Sequence, residues 1–315
     1  MNRKKHITVR RILISILLTV IIIAIPIILY FYKHHSVVQP EDSHLNGDGV
    51  YFNIFTKRTR GKSITGTFKN VNHDTILYAS IQNIGKNRHM KLTAYLDYHE
   101  IPLNILSKKY DSDNIYLKDG DNIIIPFKLN SKISSDENHK LLVSLFWGTD
   151  LHESNIQLKT NNYSLSYDFF IQNLQNTNYH LGIETTPVYF CNYDFPSVMI
   201  NTDFNKNTPG AKEPSSEIKV KANSNINLAY RIGKIKPANN QLLLVTMNYH
   251  QTKINNADYL LINTQDSKTA YGTFTIKAPS KKGLYEICAV VVTDPTKPNN
   301  FVPLENAYRF TLNVT

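Results

Sequence analysis

Apolar residues recur at every second position through most of this chain, and that period limits it to one kind of backbone. In "HMKLTAYLDY", Met90, Leu92, Ala94, Leu96 and Tyr98 alternate with His89, Lys91, Thr93, Tyr95 and Asp97. "DNIIIPFKL" aligns Ile123, Ile125, Phe127 and Leu129, and "LLVSLFW" aligns Leu141, Val143, Leu145 and Trp147. Alternate side chains of an extended strand point to opposite faces, so these runs read as strands with one face in a core and one in water. Gly, Asn, Asp and Pro separate the runs, as antiparallel sheets require. Past residue 32 no comparable stretch supports a long amphipathic helix.

The second half has the same style. Ile226, Leu228, Tyr230 and Ile232 share a face, as do Leu243, Val245, Met247 and Tyr249, then Phe274, Ile276 and Ala278, and last Tyr308, Phe310, Leu312 and Val314. "KKGLYEICAVVVTDP" is too short for a membrane span and too β-branched for a good helix, so it reads as a buried core strand ended by Asp294-Pro295. Three pairs of segments recur in the same order: "LYASIQNIGK" with "LAYRIGK", "IIIPFKL" with "GTFTIKAP", and "HKLLVSLFWGTD" with "KGLYEICAVVVTD". A tandem repeat follows. The expected ectodomain is two β-sandwiches, at 50–175 and 176–315, set in line and reaching about 70 Å from a membrane.

That membrane is implied by the start of the chain. From Ile12 to Tyr32 no residue is charged, and a helix needs about 20 apolar residues to cross a bilayer. A secretory signal has a shorter apolar region and a small-x-small cleavage site, whereas this run ends in Tyr30, Phe31 and Tyr32, so an uncleaved anchor is expected. Arg3, Lys4, Lys5, Arg10 and Arg11 precede it, which keeps residues 1–11 cytoplasmic and puts everything after the span outside. Residues 33–49 read as a short polar stalk. Five of the 35 basic residues belong to the cytoplasmic flank, leaving 30 against 25 acidic ones. A balance of +5 spread over the outer chain is a solvated surface and implies no nucleic-acid partner.

The first sandwich resembles the CARDB-type cell-adhesion-related domains of bacteria and their fibronectin-III-like relatives. The resemblance rests on "ASIQNIGKNRHMKLTAYLDYHEIPLN", "LKDGDNIIIPFKL" and "HKLLVSLF", with Asn83, Gly85, Asp97, Gly120 and Phe127 at the family's turn and core marks. It implies an immunoglobulin-like fold and a surface setting, and carries over no catalytic residue. Gly283-x-Tyr285 similarly resembles the tyrosine corner of immunoglobulin-like domains. In that motif a cysteine follows by two positions; here Cys288 follows by three.

Chemistry-bearing residues are few. Cys191 and Cys288 both lie outside the span, as a disulfide or as two packed thiols. Asp111, Asp113, Asp119 and Asp121 form a candidate calcium cluster, though Tyr116 and Asn122 stand where an EF-hand needs Gly and Glu, and Asp around Gly is also what hairpin turns use. The Gly61-Lys62-Ser63 triplet lacks the earlier glycine of a phosphate loop. The histidines show no H-E-x-x-H pair, and no G-x-S-x-G elbow occurs. Nineteen tyrosines leave room for an exposed aromatic patch, with Tyr95, opposite the core face of its strand, as a candidate; Trp147 is expected to pack. No cofactor and no enzymatic activity are implied. The expected chain is all-β behind a single transmembrane helix, a bacterial envelope protein that binds or scaffolds protein partners. A wall-polymer adhesin and an unrecognised hydrolase are the alternatives.

Overall fold

The computed structural model describes residues 48–57, 66–156, 163–175, 198–202, 215–233, 240–263, 269–298 and 304–315, with 179, 181, 185–186 and 189–191 between them. The expected span over Ile12–Tyr32, its basic flank and nearly all of the stalk lie outside the described residues. Among the described residues no helix is long and apolar enough to cross a membrane.

The first half contains β1 (Gly49–Thr56), β2 (Thr67–Lys69), β3 (Leu77–Ile84), β4 (Arg88–Leu96), β5 (His99–Ile101), β6 (Leu103–Ile105), β7 (Ile115–Leu117), β8 (Asn122–Leu129), β9 (His139–Trp147), the single helical turn α1 (Glu153–Ile156) and β10 (Ser164–Gln172). They form a sheet ordered β1-β3-β8-β6 and a second ordered β2-β10-β9-β4-β5, with β7 on β4. The second half contains β11 (Thr185–Thr186), β12 (Tyr189–Cys191), β13 (Val198–Asn201), β14 (Glu217–Val220), β15 (Asn225–Ile232), β16 (Asn240–Met247), β17 (His250–Gln251), β18 (Leu260–Asn263), β19 (Thr269–Lys277), β20 (Gly283–Thr293), β21 (Glu305–Asn306) and β22 (Phe310–Val314). Here the orders are β12-β19-β15-β13 and β11-β18-β16-β20-β22-β14, with β17 on β16 and β21 on β20. Each half encloses its own core, one around Ile54, Leu92, Phe127 and Phe169, the other around Leu228, Val245, Phe274 and Leu312. The pairing of four strands against a sheet centred on three others is that of an immunoglobulin-like sandwich.

The two sandwiches are copies of one plan. β1-β3-β8 corresponds to β13-β15-β19, and β2-β10-β9-β4-β5 to β14-β22-β20-β16-β17, in the same chain order. One parallel pairing is shared as well: β2 runs parallel to β10, as β14 does to β22, while the second half adds a parallel β11 on β18. The three recurring segment pairs fall on β3 and β15, β8 and β19, β9 and β20. A fourth pair appears at the hairpins. Leu96-Asp97-Tyr98-His99-Glu100 and Met247-Asn248-Tyr249-His250-Gln251 each turn through two residues of positive φ, 52° and 65° in one and 49° and 67° in the other, the type I′ geometry of a two-residue hairpin.

The sandwiches are not set in line. Both belong to one compact unit, Gly47–Arg60 with Ile64–Thr315, and the β10-β9-β4 sheet packs face to face on the β16-β20-β22 sheet. Tyr95, Tyr98 and Leu142 meet Leu242, Leu244, Val290, Val292 and Leu261 in a cluster distinct from either core, and Phe146 meets Tyr249 and Cys288. The alternation expected to leave a wet face therefore leaves none on these strands: β9 is buried over eight consecutive residues and β20 over seven. Tyr95, expected on the solvent face, has 0% of its surface exposed, because the second sandwich covers it.

Two buried ion pairs occupy equivalent places in this seam. The Asp97 amide donates to the Lys140 carbonyl and Asp97 Oδ1 accepts from the Lys140 amide, as Asn248 does with Glu286, which makes Lys140 and Glu286 counterparts; the β9–β10 and β20–β22 registers then match Asp168 to Arg309. Lys140 pairs with Asp168, and Arg309 Nε lies 3.0 Å from Glu286 Oε2. The charges are reversed between the copies. Each pair is held by its own hairpin tyrosine and by the other sandwich's turn. Tyr98 donates to the Pro295 carbonyl at 3.0 Å and Lys140 Nζ to that of Lys297 at 2.8 Å. Reciprocally, Arg309 donates to the Gly148 and Leu151 carbonyls and to the Tyr249 hydroxyl, each at 3.1 Å. Removing one partner of such a pair leaves an uncompensated charge. Lys140→Met is expected to lower the free energy of unfolding by about 3–5 kcal/mol, and adding Asp168→Leu should recover most of it. Urea unfolding followed by circular dichroism reads both, and the two sandwiches should melt together.

Candidate binding surface

With their inner sheets packed on each other, the sandwiches turn only β1-β3-β8-β6 and β12-β19-β15-β13 outward. The first of these faces is laid out by register. Phe55, Tyr78 and Pro126 sit side by side on β1, β3 and β8, and Leu106 extends the row where its amide bonds the Pro126 carbonyl at 2.8 Å. The next rows are Asn53-Ser80-Ile124 and Tyr51-Gln82-Asn122. Phe55 and Tyr78 stack with centroids 5.4 Å apart, while Ile124, Leu106, Tyr51 and Ile76 are 44%, 42%, 39% and 37% exposed. These three rows carry no charge; Lys128, paired with Asp74 at 3.2 Å, and the exposed Lys57 lie at their margin. A face so poor in charge, with four large apolar side chains in water, departs from an ordinary solvated sheet.

The opposite outer face is smaller and carries a cation. Tyr189, Tyr271, Arg231 and Met199 form one cross-strand row. Tyr189, 63% exposed, stacks on Tyr271 at 5.3 Å. Tyr308 packs over Met199 and Ala229, so part of this face is already covered by the chain itself.

The residues singled out from the sequence lie elsewhere. Asp111 accepts from the Asp113 and Asn114 amides at 3.0 and 2.7 Å, Asp119 from Gly85 at 2.6 Å and Asp121 from Lys118 at 2.8 Å. Asp113 pairs with Lys91 at 2.9 Å. Each carboxylate thus holds a turn or a lysine, and no group of three or more candidate metal-ligating side chains converges among the described residues. Cys288 is a free, buried thiol, and burial pushes its pKa up to about 12; the Cys191 side chain lies outside the described residues. Trp147, on the last position of β9, lines a cleft of about 730 Å³ with Tyr163, Leu165 and Val50, and is packed against the first core only in part.

Tyr285 donates to the Lys281 carbonyl at 2.8 Å, pinning the entry to β20. Its counterpart at the start of β9 is His139, whose Nε2 lies 3.2 Å from the Ser134 carbonyl and whose Nδ1 lies 2.7 Å from Asp97 Oδ2. Two acceptors on the two ring nitrogens favour the imidazolium, and the bond to Asp97, opposed by burial, raises the His139 pKa.

The face residues Ile124, Pro126, Leu106 and Phe55 went unread in the sequence, although a signal was present. "NIIIPFKL" is apolar at both parities, and a strand apolar on both faces has something against each of them.

No protein-family model matches the chain, and no curated protein does. Among solved structures it is similar to a CARDB domain from Pyrococcus furiosus, at 18% identity over 39% of this chain and 98% of that one, TM-score 0.22. It is also similar to the C-terminal domain of the antigen I/II-family protein AspA of Streptococcus pyogenes, at 9% identity over 85% and 100%, TM-score 0.22. A third likeness is to SGBP-B of a Bacteroides ovatus mixed-linkage glucan utilization locus, solved with a heptasaccharide, at 13% identity over 85% and 48%, TM-score 0.20. Scores of this size add nothing to the fold described above.

The His139 arrangement has a definite sign. A raised folded pKa contributes stability that is complete below the ordinary histidine value near 6.5 and is lost as pH rises through the folded value. The protein is therefore expected to lose stability from about pH 6.5 upward, and His139→Gln should flatten that slope in urea titrations at successive pH values. Cys288 is expected to resist thiol reagents until the chain unfolds.

Proposed function

We propose that this chain is a membrane-tethered, extracytoplasmic binding protein whose two sandwiches act as one body and whose partner is another protein. The observation that carries the reading is the charge-poor outer face of the first sandwich. Aromatic rings alone would suit a sugar as well as a protein. Ile124, Leu106, Pro126 and Ile76 offer a sugar ring nothing to stack on, whereas aliphatic side chains among aromatics are what the centre of a protein interface buries. Tethering is supported by the uncharged run Ile12–Tyr32, and the orientation by the basic residues before it.

Because Ile124 and Leu106 are exposed, a charge at either should leave folding within about 0.5 kcal/mol of its original stability. A photo-crosslinking residue at Ser80, in native membranes, should capture a defined protein. Ile124→Glu with Leu106→Glu should reduce that capture by about tenfold or more, the size of a modest interfacial hot spot. Tyr189→Glu on the opposite face should not. Undiminished capture in the double variant would sink the assignment of this face. Retention on purified wall polymer that the same two substitutions abolish would replace a protein partner with a polymer.

A further inference from the structure

Edge strands expose unpaired backbone N–H and C=O groups, and proteins blunt them by keeping them short, charged, bulged or interrupted by proline. Most edges in this structure follow that rule. β2, β5, β6, β7 and β12 are three residues long, β11 and β17 two, and β13 and β14 four, β14 also carrying Glu217 and Lys219. β1 does not. It runs for eight residues, Gly-Val-Tyr-Phe-Asn-Ile-Phe-Thr, with no charge and no proline. It pairs with β3 without a bulge, from Gly49 opposite Ile84 to Thr56 opposite Leu77, and among the described residues no other strand lies beside it. Its counterpart in the second sandwich, β13, has half that length.

A second observation lies on the same strand. The side-chain oxygen of Asn53, at the middle of β1, is buried and has no hydrogen-bond partner. A buried acceptor left unpaired costs free energy, and an Asn in mid-strand is unfavourable to begin with.

We propose that β1 is the strand through which two copies of this chain pair, antiparallel, about a two-fold axis at Asn53. The edge needs an extended backbone, and the added strand must be uncharged and alternate apolar residues between the core side and the outer face. β1 itself meets that description, and with no charge it has nothing to repel in its own image. Side-chain period then restricts the register: residues of equal parity must oppose each other, or the core-facing set of one copy would point to the outer side of the other. An axis at Asn53 places Asn53 opposite Asn53, Tyr51 opposite Phe55 and Phe52 opposite Ile54. The two amides satisfy each other, the aromatic residues of the outer face become cross-strand neighbours, and two four-stranded sheets join into one of eight. Isologous contacts of this kind close on themselves. The inference stands apart from the partner that docks on the outer face: pairing is made by the backbone edge of β1 and docking by side chains centred on Ile124 and Leu106, with Tyr51, Asn53 and Phe55 at the border of both.

The test uses the full-length chain in its membrane. Asn53→Cys should give a disulfide-linked pair of copies as the main product under mild oxidation, whereas Asn104→Cys, on the opposite edge strand β6, should not rise above the unsubstituted chain with its Cys191 and Cys288. Asn53→Lys sets two ammonium groups against each other and should convert the detergent-solubilised protein from two copies to one by light scattering, with its circular dichroism unchanged. Equal cross-linking at both positions, a single copy in the unsubstituted chain, two copies in Asn53→Lys, or a disulfide that joins the Asn53→Cys variant to a different polypeptide would each overturn the proposal. Loss of partner capture in Ile124→Glu with pairing intact would confine a failure to the other surface.

Discussion

Two buried ion pairs, Lys140 with Asp168 and Glu286 with Arg309, hold the arrangement on which the rest of the molecule depends. Each would be a liability inside a single sandwich, since taking charges out of water costs more than their attraction returns unless every remaining donor finds an acceptor. The terminal nitrogens of Lys140 and Arg309 do find acceptors, but across the seam. Lys140 reaches the Lys297 carbonyl and Arg309 those of Gly148 and Leu151, so neither pair is complete without the other copy. The seam is reinforced at its hairpin end, where the Glu100 amide donates to Gln251 Oε1 at 2.6 Å and the Gln251 amide donates back to the Glu100 carboxylate. His99 lies 2.8 Å from Asp258 and His250 2.7 Å from Glu100, each across the same seam.

The reversal of charge between the copies shows that the halves have specialised. The first sandwich presents Lys140, Asp168, Ser144, Ser166 and Thr93 to the seam beside Tyr95, Leu142 and Phe146, and the second presents Glu286, Arg309, Thr246 and Thr311 beside Leu242, Leu244, Val290 and Val292. The two faces thus differ at equivalent positions, and each is covered by the other. The same reasoning explains the strained hairpins. Tyr98 and Tyr249 sit at positive φ, a conformation a bulky side chain rarely takes, and each is held there by the buried pair its hydroxyl meets.

Packing the inner sheets together also decides what remains for binding. The outer face of β1-β3-β8-β6 keeps Tyr51, Ile124 and Leu106 in solvent, and β1 keeps an unprotected edge beside it. Both lie on the first sandwich. In the second, Tyr308 covers part of the outer face and β13 is short, so equivalent topology does not bring equivalent surface.

The local pattern of the sequence determined that the chain forms strands, because a two-residue period needs only neighbours along the backbone to be read. It also determined that there are two similar halves, from segments on β3, β8 and β9 that recur on β15, β19 and β20, and it contained the fourth recurrence, Asp97-Tyr98-His99-Glu100 with Asn248-Tyr249-His250-Gln251. What the period could not tell is which face meets water. Tyr95 and Lys140 sit at positions that read as solvent-facing and are buried by residues more than a hundred positions away. Only the tertiary structure decided that, since burial of a strand's second face depends on which other sheet is laid against it. For the same reason Ile124 and Pro126, apolar residues on an outward face, acquire meaning only once every other apolar face has found its cover.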